Sequence, residues 1–229
     1  MKAKIVEIFS SLQGEGIKLG ERQIFVRFAG CNLQCGYCDT PASRESVHAR
    51  EMSIAEVMLK IDLLNKQRPH KTVSLTGGEP LLQGEFLKSL LPLLKKSGYE
   101  IYIETNGTKP EILRQILSMV DTVSMDIKCS SDCGHDLWDI HREFLEVGLG
   151  KIFVKIVLTS QTTNDEIIQA VHLVADIDKH IPFVLQPVTV MPGIEAASRD
   201  NILSWRQIAM KQLSDTRLIS QKHPEWKIH

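Results

Sequence analysis

Three cysteines, Cys31, Cys35 and Cys38, stand close together in the spacing C-x3-C-x2-C. Thiolates this near in sequence can wrap an iron–sulfur cubane, each sulfur bound to a different iron. An electron-carrying ferredoxin needs a fourth cysteine for each cluster. Three ligands leave one iron open to a substrate, by the logic that separates catalytic from structural zinc sites. Two plainer readings stand beside this one. The cysteines are unrelated buried thiols, or they form a structural zinc site completed by a histidine such as His48. Zinc knuckles, however, usually pair two C-x2-C units or add a His-x3–5-His.

The chain reads as short β-rich runs alternating with amphipathic stretches. Runs rich in Val, Ile, Phe or Tyr at 24–28, 72–75, 100–104, 122–126, 152–158 and 183–186 predict strands. Helical patterns fall at 54–65, 85–96, 111–119, 136–147 and 165–176, with Phe86, Leu87, Leu90, Leu91 and Leu94 on one stripe. Ser53 with Glu56, and Thr163 with Glu166, read as capping boxes, and Gly98 as a helix stop. This alternation predicts an α/β fold, a parallel sheet with helices outside. About six units are visible, short of the eight of a closed barrel. Ligands of such sheets bind at the carboxyl ends of the strands, where the cysteine loop falls.

Length and composition set the outer limits. The chain has 229 residues, 43% hydrophobic and 24% charged, enough for one domain with a full core. A formal net charge of −1 argues against broad binding to nucleic acid or an anionic membrane. No stretch reads as a signal peptide or a spanning helix, so a cytoplasmic enzyme with reduced cysteines is expected. Cys129 and Cys133 are too few for a second cluster and read as free thiols.

Further motifs carry a resemblance. The cysteine triplet with Tyr37 before its last member, followed by Gly77-Gly78-Glu79-Pro80 after the next strand, resembles the radical S-adenosylmethionine (SAM) superfamily. Ser11-Leu12-Gln13-Gly14-Glu15-Gly16, Phe25-Val26-Arg27-Phe28-Ala29-Gly30-Cys31, Cys38-Asp39-Thr40, Glu104-Thr105-Asn106-Gly107 and Leu185-Gln186-Pro187 are similar to the 7-carboxy-7-deazaguanine synthases, over nearly the whole chain. The resemblance implies one radical SAM domain over residues 1–229, built as a partial (β/α)6-type barrel of parallel strands with helices outside. It implies a lyase that converts 6-carboxy-5,6,7,8-tetrahydropterin to 7-carboxy-7-deazaguanine with loss of ammonia, towards queuosine and other deazapurines. A 4Fe–4S cluster, SAM and Mg2+ are the implied cofactors. A reductase such as flavodoxin and a homodimer are the implied partners.

Carried over residue by residue, the resemblance assigns Cys31, Cys35 and Cys38 to the cluster and Thr40 to magnesium. Leu12, Gln13, Gly14, Glu15, Arg27, Thr76 and Glu104 fall to the pterin. Tyr37, Gly78, Glu79 and Gln186 fall to SAM. The chemistry agrees in type: Arg27 offers a planar fork for a carboxylate, and Gln13 with Glu15 supplies the donors and acceptors a pterin edge needs. Many family members carry Ser-Pro-Lys after the fourth strand; here Asp126-Ile127-Lys128 stands there with Ser124 upstream, and these three are assigned to SAM on that partial match. The family's C-terminal Gln-x-His-Lys is represented by Gln221-Lys222-His223-Pro224, which assigns His223 to the substrate. Each assignment has a rival. Arg27 points to solvent, Glu15 is a solvated loop carboxylate, Thr40 shapes the turn before Pro41, or Glu104 pairs with a lysine.

Two other functions fit the cysteine loop: a radical SAM activase that places a glycyl radical on a partner protein, and a non-catalytic zinc- or cluster-binding module.

Overall fold

The computed structural model describes residues 1–45 and 49–226. Its strands are β1 (Lys2–Leu12), β2 (Arg22–Phe28), β3 (Arg50–Ser53), β4 (Thr72–Gly77), β5 (Glu100–Thr105), β6 (Thr122–Ile127), β7 (Ile152–Leu158), β8 (Phe183–Pro187) and β9 (Thr216–Leu218). Its helices are α1 (Ile54–Gln67), α2 (Gly84–Lys96), α3 (Pro110–Ile116), α4 (Ser130–Cys133), α5 (Trp138–Gly148), α6 (Asn164–Asp178), α7 (Arg199–Met210) and α8 (His223–Trp226). All strands join one sheet in the order β3-β1-β2-β4-β5-β6-β7-β8-β9. From β2 onwards every pairing is parallel, whereas β1 runs antiparallel to both β2 and β3. With β3 and β9 at its two ends the sheet is not closed, and helices alternate with strands from β4 to β9.

The six expected strands are β2 and β4 to β8, and the five expected helices are α1, α2, α3, α5 and α6. Both capping boxes form: Ser53 accepts from the Glu56 N–H while Glu56 accepts from the Ser53 N–H, and Thr163 and Glu166 do the same. The stripe of α2 is buried throughout, and together with Val73, Leu75, Ile101 and Ile103 it forms part of the main core between sheet and helices. Burying one such leucine is worth about 1.5–3 kcal/mol, which holds this face of α2 against the sheet. Three strands lie beyond the expected set. β1 alternates apolar with Glu7 and Ser10, β3 is short and charged, and β9 has three residues.

The other face of the sheet is concave. Alternation sends Val26, Leu75, Ile103, Met125, Ile156 and Leu185 into the main core and their sequence neighbours to the opposite side. There Tyr102, Phe153 and Val184 pack with Ile17 and Ile219 into an apolar plug. The loop between β1 and β2 lies on this plug, with Gly16 against Phe153. No helix among the described residues is long and apolar enough to cross a membrane.

Candidate active site

Above the plug, at the carboxyl ends of the parallel strands, opens a cavity of about 530 Å³. Six of the parallel strands contribute concave-face side chains to its wall: Arg27 from β2, Thr76 from β4, Glu104 from β5, Ser124 and Asp126 from β6, Lys155 from β7 and Gln186 from β8. Leu12 enters from the end of β1, and Gln13, Gly14 and Glu15 from the β1–β2 loop, which crosses the concave face rather than extending a parallel strand.

Cys31, Cys35 and Cys38 line the cavity from the loop after β2, all as free thiols. Two neighbouring loops and α4 seat this one. Gly78 N–H donates to the Phe28 carbonyl at 3.1 Å and Glu79 N–H to Gly30 at 2.8 Å, stitching the GGEP turn to the start of the cysteine loop. The backbones approach so closely that a Cβ on Gly77 would meet the Phe28 oxygen at 2.1 Å, and one on Gly78 the Gly30 oxygen at 2.1 Å. Glycine is required at both positions, and Gly77 also has φ +125°. From the loop after β5, Asn106 donates its amide to Asn32 Oδ1 at 3.0 Å and reaches Cys31 Sγ at 3.9 Å. From α4, the Asp132 carbonyl accepts the Gly36 N–H at 3.0 Å.

Burial pushes the Cys35 thiol up to about 11, against the opposing charge of Lys128. Burial likewise raises Cys31. These thiols lose their protons when a metal group takes them as ligands, because the ligand form is the thiolate. Among the described residues no three His, Cys, Asp or Glu side chains are gathered as a single-ion site. His48, the histidine considered for zinc, lies outside the described residues.

A chain of charges crosses the cavity. Glu15 pairs with Lys155, whose ammonium also lies 3.4 Å from Asp126 Oδ2. Asp126 Oδ2 accepts from Lys128 at 2.8 Å, and Lys128 donates onward to the Tyr37 hydroxyl at 3.1 Å. Burial alone would raise Glu15, but the Lys155 ammonium and the amides of Gln221 and Gln186 hold it at about 2. Glu104 goes the other way, raised by burial and by the nearby charge of Glu15. It accepts from Gln13 Nε2 and from Thr76 Oγ1, each at 2.7 Å. Among the described residues Glu104 thus has amide and hydroxyl donors, not a lysine, at hydrogen-bond distance.

Arg27 faces the cavity rather than solvent, its Nε 2.9 Å from Glu7 and its guanidinium over the Phe9 ring. Thr40 lines the cavity and also precedes the turn that begins at Pro41. Tyr37 and Gly78 line it as well. Glu79 does not. Its carboxylate is fully buried beneath the wall, accepting from Leu81 N–H at 3.0 Å, Thr105 Oγ1 at 2.9 Å and Asn106 N–H at 2.7 Å. These three hydrogen bonds tie the β4 and β5 loops together. The His223 side chain lies outside the described residues. Cys129 and Cys133 are buried free thiols outside the cavity wall.

The sequence reading missed Lys155 and Gln221. Lys155 is the sole charge in an otherwise apolar strand run, which was its available signal. Gln221 donates to Glu15 Oε1 at 2.8 Å and Asp39 Oδ2 at 3.1 Å, and accepts from Thr189 Oγ1 at 2.6 Å. Lys222 N–H donates to the Gly14 carbonyl at 2.9 Å, so the C-terminal segment crosses the cavity mouth.

An α/β sheet carrying three free thiols at the end of its first parallel strand defines a radical SAM protein, and the Radical SAM superfamily model matches residues 25–205. Within that class the chain belongs to the 7-carboxy-7-deazaguanine synthase family. A protein of that name from Geobacter sulfurreducens is 37% identical over 96% of each chain. Another from Archaeoglobus fulgidus is 34% identical over 97% of each. The crystal structure of QueE from Escherichia coli shares the fold, with a TM-score of 0.69 at 22% identity over 96% of this chain and 94% of that one.

Membership implies a 4Fe–4S cluster and SAM. The residues present fit both groups. Three thiols from one loop face a single cavity, and the same wall carries two buried acceptors, Asp126 Oδ1 and Gln186 Oε1, without hydrogen-bond partners among the described residues.

Proposed function

We propose that this chain converts 6-carboxytetrahydropterin to 7-carboxy-7-deazaguanine with loss of ammonia, within deazapurine and queuosine synthesis. The observation that carries the reading is one cavity with two unlike walls. Cys31, Cys35 and Cys38 line one part of it, and the pterin-matching set of Gln13, Glu15, Arg27 and Glu104 lines another. When bound, the cluster with SAM supplies a carbon-centred radical for hydrogen abstraction from the pterin.

The chain's own residues bind and orient. Cys31, Cys35 and Cys38 hold the cluster, and Asn106 supports Cys31. Tyr37, Gly78, Glu79, Ser124, Asp126, Lys128 and Gln186 belong to the SAM side, and Glu79 also ties the loop behind Gly78 to β5. Arg27 holds the substrate carboxylate as a bidentate partner. Gln13, Glu15, Thr76 and Glu104 match the donors and acceptors of the pterin edge, with Leu12 and Gly14 beside them. Thr40 offers a hydroxyl to Mg2+, a ligand such an ion shares with substrate oxygens and water. His223 belongs to the same substrate group by its place in the C-terminal motif. Closing these groups over the reacting atoms excludes water and fixes their approach.

The enzyme works as a homodimer in the cytoplasm and takes its electron from a reductase such as flavodoxin. Anaerobic turnover with reductant, SAM and 6-carboxytetrahydropterin tests the reading. Deazaguanine product is expected. SAM cleavage without pterin consumption would favour the activase, and one zinc with no iron would favour the non-catalytic module.

A further inference from the structure

Lys155 is largely but not fully buried, its side chain 14% exposed, on the concave face of β7 between two carboxylates that line different parts of the cavity. Desolvating an ammonium costs several kcal/mol, and a hydrophobic residue of similar volume is often as stable or more so. A purely structural role therefore gives little reason for a charge in this strand. Its partners point elsewhere. Glu15 lies in the loop read as pterin-binding, and Asp126 lies on the wall read as facing SAM. Glu15 Oε2 also accepts from Gln186 Nε2 at 3.1 Å, so the lysine and the amide grip one oxygen from adjacent strands. Glu104 and Lys128 are the other charges acting on Lys155, and Lys155 favours ionised Glu15 over its neighbour Glu104.

We propose that Lys155 is a positioning residue for the substrate: its ammonium fixes the Glu15 carboxylate as an acceptor for the N–H groups at the pterin edge, and ties that carboxylate to Asp126 on the cofactor side. This rests on the pterin reading above. Removing the lysine leaves Glu15 and Glu104 as two neighbouring carboxylates without their shared cation, and one of them takes up a proton. The substrate then loses an acceptor, while the radical chemistry keeps its parts.

The test is steady-state kinetics on reconstituted holoenzyme carrying Lys155→Met, Lys155→Arg, Glu15→Gln, or Lys155→Met with Glu15→Gln. Lys155→Met is expected to raise KM for the pterin on the order of tenfold, with kcat changed far less. Lys155→Arg should recover most of that loss. The double variant should match Glu15→Gln alone, because the lysine acts through that carboxylate. Unchanged KM in Lys155→Met, or additive effects in the double variant, overturns the proposal. If Lys155→Met does not assemble a cluster, the double variant decides, since it leaves Glu15 without a charge to bury. Its KM equal to that of Glu15→Gln supports the role, and a KM well above it does not. Failure of the wild-type chain to use the pterin sinks the functional reading and this inference together; normal wild-type turnover with an unaltered Lys155→Met sinks this inference alone.

Discussion

Gly78 and Gly30 touch backbone to backbone: a Cβ on Gly78 would stand 2.1 Å from the Gly30 oxygen and 2.6 Å from its carbonyl carbon. Neither atom belongs to a flexible side chain, so nothing can swing aside. Gly78→Ala must push the GGEP turn away from the cysteine loop and break the hydrogen bonds that stitch them. The expected cost is about 3 kcal/mol, the upper end of ordinary overpacking. Because the displaced loop carries the thiols, the iron bound after anaerobic reconstitution should fall along with the urea midpoint. A variant with full iron content would show that the two loops are seated independently.

The thiols divide by position. Cys31, Cys35 and Cys38 line the cavity, while Cys129 and Cys133 sit in packed surroundings, Cys133 beside Cys35, Tyr37 and Val157. Replacing any of the first three with alanine should abolish the broad absorbance near 400 nm and most of the iron, which is about four per chain in a cubane. Cys129→Ser and Cys133→Ser should keep both, since neither thiol faces the cavity. Loss of iron in Cys133→Ser would place that thiol among the ligands.

Much of this arrangement was legible in the chain. Runs such as 152–158 announce parallel strands, and the two capping boxes mark where α1 and α6 begin. The three-cysteine spacing is local, so it survives reading in one dimension. What escaped depends on partners distant in sequence. Lys155 and Glu15 are 140 residues apart, and nothing near either one announces the other. Glu79 sits in a recognisable motif, yet its carboxylate is turned inward by donors from Thr105 and Asn106 on the next strand. β1 was hidden because Glu7 and Ser10 interrupt its apolar pattern, and Glu7 is there to meet Arg27 across the ladder.

Thr40 carries the magnesium assignment. It lines the cavity beside the cysteine loop, and its carbonyl rather than its hydroxyl secures the following turn, accepting Ser43 N–H at 2.9 Å and Ser43 Oγ at 2.7 Å. Thr40→Ala should therefore leave the turn and the cluster intact. The magnesium concentration for half-maximal turnover should rise about tenfold, as when a metal site loses a supporting group. An unchanged magnesium response removes Thr40 from the site.

Glu79 and His141 meet at Asn106 and respond to pH in opposite directions. Glu79 accepts the Asn106 N–H, and His141 Nε2 lies 3.1 Å from the Asn106 carbonyl. Burial raises Glu79 to about 7, against the hydrogen bonds that favour its ionised form. A carboxyl raised this way contributes stability that is full below its unfolded value near 4.5 and is lost as pH rises through 7. Burial lowers His141 to about 4, so its contribution is full above 6.5 and is lost as pH falls through 4. Between 4.5 and 6.5 the two slopes oppose, each worth on the order of 3 kcal/mol across its range. Wild-type stability in urea should accordingly change little over that window. His141→Gln, which keeps a donor for the Asn106 carbonyl, should become more stable on acidification, leaving the Glu79 slope alone. Glu79→Gln orphans one of its three donors and lowers stability throughout, but its slope should reverse, falling as pH drops from 6.5 to 4. Parallel pH profiles for the two variants would show that neither group titrates in this range.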